Sequence, residues 1–127
     1  MSTIHRTLVM PVPTSKNVWQ RIHWAHRGRI KDQWETSVWA QVNERPRCQR
    51  PVSLVTAHLD IHWDKPGPLP DFHNLDMAHE CVADGLVKAG ILADDAGGVY
   101  MRGTFKITRV PAPQGNTIVT LDLQTDG

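Results

Sequence analysis

The chain reads Pro70-Asp71-Phe72-His73-Asn74-Leu75 just before its clearest amphipathic segment, and Gly90-Ile91-Leu92-Ala93-Asp94-Asp95 just after it. On a helical wheel the apolar positions of the segment share one side: Leu75, Val82, Leu86 and Ala89. Mostly polar positions share the opposite side: His73, Asp76, Met77, Glu80 and Asp84. The pattern predicts a helix over Asn74–Ala89 with Gly90 as its C-terminal cap. One carboxylate therefore precedes this helix and two follow it, an arrangement that a divalent cation can stabilise against charge repulsion.

Alternating or apolar runs predict the strands of a sheet at four places: Ile4–Met10, Val52–Trp63, Val99–Val110 and Thr117–Leu123. The alternation slips near Thr56-Ala57, which predicts a bulge. An apolar stripe spaced by four residues, beginning at Ile30 and Trp34, predicts a second helix over Arg29–Glu44, ended by Pro46. The order β-α-β-α-β-β predicts an α+β fold (an α/β sandwich) in which two helices pack on a mixed four-stranded sheet.

The composition is that of a globular protein. Its 127 residues leave room for a single domain over 1–127, and a hydrophobic fraction of 40% excludes a disordered chain. No apolar run approaches the roughly 20 residues of a membrane span, and the first residues do not resemble a signal peptide. We therefore expect a cytoplasmic protein that does not bind membranes. In that compartment Cys48 and Cys81 are expected to be free thiols.

Charge is distributed unevenly along the chain, although the net charge is only +1. Residues 1–50 carry nine Lys or Arg and three acidic residues, whereas residues 51–127 carry five basic and ten acidic ones. A basic half beside an acidic half suits a protein that holds a polyanion with one part and a cation with the other. The alternative is that these charged side chains are solvated and pair with one another across the fold, without binding a polyanion or a cation.

Three stretches together resemble the RusA family of Holliday-junction resolvases. They are Pro13-x-Ser15-x-Asn17; His23-Trp24-Ala25-x-Arg27-x-Arg29 with Lys31; and Pro70-Asp71-x-His73-Asn74-Leu75 with Asp84-Gly85-Leu86-Val87-Lys88-Ala89-Gly90 and Asp94-Asp95. The resemblance extends from about residue 8 to about residue 123. It implies a homodimeric endonuclease of a bacterial or phage-infected cell that cuts branched DNA, above all the four-way junction, in recombination or repair.

The resemblance also implies a metal site. In the family, two acids of the pattern Asp-x-Asp-Asn-Leu bind magnesium together with the second acid of the later Asp-Asp pair. Carried onto this chain, the catalytic residues are Asp71 and Asp95, and the metal ligands are Asp71, His73, Asp94 and Asp95. The chain departs from the pattern at His73, and because imidazole prefers transition metals, Mn²⁺ is a second candidate beside Mg²⁺. The position of the family's catalytic lysine falls on Met77 or Glu80, and neither is basic. Weak activity, manganese preference and loss of activity all remain open.

The basic segment is the predicted DNA-binding surface. Phosphate contacts are assigned to Lys16, Arg21, Arg27, Arg29 and Lys31, and base stacking to Trp19 and Trp24. The two tryptophans could instead pack in the core or at a dimer interface.

Glu80 either replaces the acid lost at His73 or is a solvated carboxylate. A zinc site of His73, His79 and Cys81 is disfavoured by its spacing. The functional alternatives are a RusA-like junction-binding protein that no longer cuts, and a protein-interaction module on the same scaffold.

Overall fold

Four strands and three α-helices make up the computed structural model, which describes residues 2–43, 54–92 and 99–125. In chain order these elements are β1 (Ser2–Met10), α1 (Lys16–Arg21), α2 (Trp24–Asn43), β2 (Leu54–Trp63), α3 (Asp76–Lys88), β3 (Val99–Arg109) and β4 (Asn116–Thr125). A short 3-10 helix over Phe72–Leu75 leads into α3. The predicted α+β fold with a mixed sheet is confirmed.

The sheet has the strand order β1-β4-β2-β3. Strand β4 is antiparallel to both β1 and β2, whereas β3 runs parallel to β2. A parallel pair requires a crossover, and the 3-10 helix with α3 provides it. The loop after β2 therefore places Pro70 and Asp71 near the end of β2 that carries Trp63.

One face of the sheet is covered by α2 and α3. Burial alternates strictly along β2, whose core side chains, such as Val55 and Ile61, are inaccessible to solvent. The helices contribute Trp34 and Val38 from α2 and Leu86 from α3, all at most 2% exposed. Burial of one such aliphatic side chain contributes about 1.5–3 kcal/mol. The expected core role of Trp34 is confirmed.

Two details of the helices differ from prediction. Helix α2 begins at Trp24, five residues before the expected Arg29, because His23 caps it: the His23 carbonyl accepts from the N–H groups of His26 and Arg27 at 2.9 and 3.0 Å. Helix α1 was not predicted as an element. On α3, Met77 was assigned to the polar side but is only 5% exposed.

The C-terminal end of α3 matches the prediction. Gly90 adopts φ +75°, a left-handed conformation that costs glycine little. Its N–H bonds to the Val87 carbonyl, and the Ile91 N–H bonds to the Leu86 carbonyl, each at 3.0 Å. This pair of bonds is a Schellman motif, which satisfies the last carbonyls of the helix.

The other face of the sheet is free of helices among the described residues. The predicted irregularity in β2 is confirmed between Ala57 and Leu59, but the extra residue lies in β3, where Gly103 and Thr104 oppose His58 alone. The Thr104 N–H therefore donates to His58 Nδ1 (2.9 Å), which leaves the Nε2 proton to bond Asp122 Oδ2 (2.9 Å). The two ring nitrogens of His58 thus join the bulge in β3 to β4.

Candidate functional site

Asp71 begins the 3-10 helix as its N-cap. Its backbone is extended (φ −85°, ψ 172°), and its Oδ1 accepts a hydrogen bond from the Asn74 N–H at 3.2 Å. Aspartate is favoured at this position because its side chain satisfies a backbone donor that the helix leaves open. The residue is exposed, so the carboxylate retains lone pairs for a further ligand.

His73 lies on the same short turn and is also exposed. Its ring centroid is 4.0 Å from that of Phe72, with the planes tilted by 36°. Phe72 in turn lies 6.0 Å from Phe105 of β3, centroid to centroid. The imidazole predicted to ligate a metal thus packs against an aromatic ring.

The second half of the predicted metal site, Asp94 and Asp95, lies outside the described residues. Before it, the described chain ends at Leu92, whose N–H bonds to the Leu86 carbonyl at 3.3 Å. Within residues 2–43, 54–92 and 99–125, no three His, Cys, Asp or Glu side chains form a group that could hold a metal ion. The meeting of Asp71 with Asp95 therefore stays a prediction.

The zinc alternative draws on side chains that have other partners. His79 Nδ1 lies 2.7 Å from the Tyr100 hydroxyl, and burial, aided by nearby Arg102, lowers the pKa of His79 to about 4. Cys81 is a free thiol, as predicted, and burial raises its pKa to about 12. A buried, protonated thiol is a poor metal ligand.

A cleft of about 390 Å³ joins the basic segment to α3, and we call it the mixed-charge cleft. Its basic and aromatic wall comes from Lys16, Trp19 and Arg27. Its acidic wall comes from Asp76 and Glu80, one turn apart on α3. Three of the predicted DNA-binding residues are thereby brought against two carboxylates, and the Glu80 that sequence reasoning considered as a replacement ligand is one of them.

The other predicted DNA-binding residues are not among those that line this cleft, and Lys31 and Arg29 have partners of their own. Lys31 Nζ forms an ion pair with Asp84 at 2.9 Å, and this hydrogen bond raises the pKa of Lys31. An Arg29 guanidinium nitrogen is 3.4 Å from His26 Nδ1. Arg21 is exposed at the end of α1, and Trp24 is 73% exposed. This ion pair is an instance of the alternative left open by the charge pattern, namely charge that pairs across the fold, but the sequence did not specify the partner because Asp84 reaches Lys31 only through helix packing.

A second cavity of about 740 Å³ adjoins the cleft and shares Thr14 and Asn74 with it. We call it the proline cavity, because four of its lining residues are Pro13, Pro66, Pro68 and Pro70. Asp71 lies in its wall. The cavity joins the first and third stretches of the sequence pattern, and sequence reasoning missed it because its walls come from loops that are distant along the chain.

Trp63 lines the proline cavity and is 7% exposed. Among the described residues its indole Nε1 has no hydrogen-bond acceptor. A buried donor without a partner costs about 1–3 kcal/mol. Trp63 is therefore a cavity-lining residue whose indole N–H the described part of the fold leaves unsatisfied.

Comparison with known proteins adds no relative. No protein-family model matches the chain, and no curated protein matches it. Among the described residues, none of the helices has the length and apolar character that crossing a bilayer requires.

Proposed function

We propose that the chain is a RusA-like, metal-dependent endonuclease that acts on branched DNA as a homodimer. The observation that carries this proposal is the mixed-charge cleft, which is lined by Lys16 and Arg27 together with Glu80 and with Asp76, whose carboxylate also pairs with Arg102 at 2.6 Å. Basic side chains grip the phosphates of a DNA strand without reading its sequence. Carboxylates beside them supply the hard oxygen ligands that magnesium prefers.

The side chains proposed as metal ligands are of the chemical types that bind a divalent cation, although the described residues do not bring three of them together. Asp71 and Glu80 are exposed carboxylates at the two adjoining cavities, and an imidazole at His73 favours Mn²⁺ over Mg²⁺. A bound ion would polarise the scissile phosphate and lower the pKa of an attacking water. The protein's own part is to position the strand with Lys16 and Arg27 and to offer Trp19 as a stacking surface.

A cleavage assay on a synthetic four-way junction tests the proposal. We expect the wild-type protein to nick the junction with Mg²⁺ or Mn²⁺ and not without metal, and we expect Asp71→Asn and Asp95→Asn each to lose at least a hundredfold in rate. Asp32→Asn, at an exposed position of α2, is the matched control and should cut normally. His73→Asp should raise the rate with Mg²⁺, because it restores the acid of the family pattern. Equal rates for Asp71→Asn, Asp95→Asn and Asp32→Asn would contradict the assignment.

A second candidate is a junction-binding protein that does not cut. Two observations favour it: Asp71 already serves as a helix cap, and the His73 ring packs on Phe72. Such a protein would retard the junction in a gel with Mg²⁺, with Mn²⁺ and with EDTA, and would leave the strands intact. Cleavage under either metal excludes it.

A further inference from the structure

The proline cavity carries polar groups that the proposed cleavage chemistry leaves unused. We propose that it binds one unstacked nucleobase of the DNA strand whose phosphates are held in the mixed-charge cleft. This inference rests on the proposed function, because it requires the mixed-charge cleft to hold DNA. It goes further by specifying which part of the DNA the proline cavity binds.

The walls of the cavity suit a planar heterocycle, and its volume is more than large enough to admit one. Its volume of about 740 Å³ falls within the range of small-molecule sites, roughly 300–1,000 Å³. Rigid apolar surfaces come from Pro13, Pro66 and Leu69, which can pack against the faces of a ring. Side chains with amide and hydroxyl groups line the same space at Ser15, Asn17 and Asn74. Such groups pair with the donors and acceptors on the edge of a base.

Trp63 lines the cavity, and its indole N–H has no acceptor among the described residues, so a ligand that carries a hydrogen-bond acceptor would complete it. Carbonyl oxygens and ring nitrogens of the bases are such acceptors. Because this N–H is itself covered, binding requires a local rearrangement that uncovers it. An apolar ligand would leave the donor unsatisfied, so the site favours a base over a purely hydrocarbon group.

The position of the cavity connects the base to the backbone that carries it. The two cavities share Thr14 and Asn74, so one strand can place phosphates beside Lys16 and Arg27 and a base beside Trp63. Lys65 lines the proline cavity as a further cation for a phosphate. Unstacking costs least for bases in mismatched, damaged or single-stranded DNA.

The first test follows the indole N–H resonances of ¹⁵N-labelled protein while deoxynucleoside monophosphates are added. The resonance of Trp63 is identified by its loss in Trp63→Phe. We expect it to shift and saturate with nucleotide, with little change in the resonance of Trp39, which is 48% exposed and lines a different cavity. A proline-rich peptide that shifts the Trp63 resonance when nucleotides do not would overturn the proposal.

The second test measures junction binding by Trp63→Phe and by Trp39→Phe as the matched control. Trp63→Phe should bind the intact junction about tenfold more weakly, and should bind as the wild type does when the crossover nucleotides are abasic. Because the indole N–H of Trp63 makes no hydrogen bond to any described residue, Trp63→Phe should not lower the thermal midpoint through the loss of one. If Trp63→Phe does not fold, Asn17→Ala, at the exposed edge of the cavity, takes its place in the same assay. Equal affinities of Trp63→Phe and Trp39→Phe for the intact junction would overturn the inference.

The two proposals fail in distinguishable ways. A protein that cuts the junction while the Trp63 resonance stays fixed keeps the proposed function and loses the base-binding cavity. If the protein neither binds nor cuts the junction, the proposed function is wrong. In that case a saturable shift of the Trp63 resonance on addition of nucleotide would still show that the cavity binds a nucleotide.

Discussion

The side-chain amide of Gln41 on α2 makes both hydrogen bonds that a neighbouring strand would make to Val9. Its Oε1 accepts from the Val9 N–H at 2.7 Å, and its Nε2 donates to the Val9 carbonyl at 2.9 Å. Val9 lies in β1, an edge strand of the sheet. An edge strand with open backbone groups is a site for unwanted pairing with another chain, so Gln41 closes part of this edge.

Replacement of Gln41 by alanine should therefore act on stability and on self-association. We expect Gln41→Ala to lower the free energy of unfolding by about 1–2 kcal/mol, since two hydrogen bonds to the backbone are lost. We also expect a concentration-dependent rise in apparent mass by light scattering. Gln33→Ala, at an exposed position of the same helix, is the control. Identical urea midpoints for the two variants would show that the Gln41 bonds contribute nothing.

Two glycines in helices should respond to alanine in opposite directions. A Cβ at Gly85 of α3 would lie 2.9 Å from Val38 Cβ of α2, closer than carbon atoms pack, whereas a Cβ at Gly28 would meet nothing within 4 Å. Gly85→Ala should destabilise by about 1–3 kcal/mol through overpacking. Gly28→Ala should stabilise by up to about 1 kcal/mol through helix propensity. Chemical denaturation of both variants checks the pair, and a stabilising Gly85→Ala would refute the close helix contact.

The lowered pKa of His79 makes stability depend on pH. Burial moves this pKa from 6.5 to about 4, so the unfolded chain binds the proton more readily than the folded protein. As the pH falls from about 6.5 towards 4, proton uptake by the unfolded state should reduce the free energy of unfolding. Arg102 facing the ring strengthens this trend, and Asp76 opposes it.

Urea titrations between pH 7 and pH 4 measure this effect. The drop in midpoint should be smaller in His79→Phe than in the wild type, although His79→Phe loses the hydrogen bond to Tyr100 at every pH. His26→Phe, at an exposed position, should retain the wild-type dependence. Parallel pH curves for His79→Phe and the wild type would contradict a neutral buried histidine.

Lys16 and Lys31 should differ in their effect on junction binding. Lys16 lines the mixed-charge cleft, whereas Lys31 is already paired with Asp84 at 2.9 Å. Lys16→Ala should weaken binding and reduce the slope of log affinity against log salt by about one. Lys31→Ala should change that slope less. Fluorescence polarisation over a series of salt concentrations gives both slopes, and a larger effect at Lys31 would place the DNA elsewhere.

The sequence predicted those elements whose side chains show a period. All four strands were predicted within two residues at every end that the structure describes, since alternation along a strand is a local signal. Helix α3 and its Gly90 cap were predicted for the same reason. Helix α1, with only six residues, is too short to show a period. The first turn of α2 was not predicted because its polar and aromatic residues lack the apolar spacing of the later turns.

Other features depend on contacts between distant residues. The insertion of β4 between β1 and β2 brings Ser2 opposite Thr125, and no local pattern encodes that choice. The candidate site was predicted as a set of residues rather than as a shape. The sequence indicated that Lys16, Trp19 and Arg27 belong together, but their position against Asp76 and Glu80 follows from the way α1 packs beside the 3-10 helix.

The central place of β4 has a consequence for the order of events during synthesis. Strand β1 is made first, yet among the described strands its only neighbour is β4, and β2 also needs β4 to complete its pairing. More than a hundred residues separate the end of β1 from its pairing partners in β4. While these residues are being translated, β1 therefore has no described strand to pair with. The bonds from the Gln41 amide of α2 to Val9 in the folded protein need no residue of β4, so the partners for this part of β1 are synthesised well before its neighbouring strand.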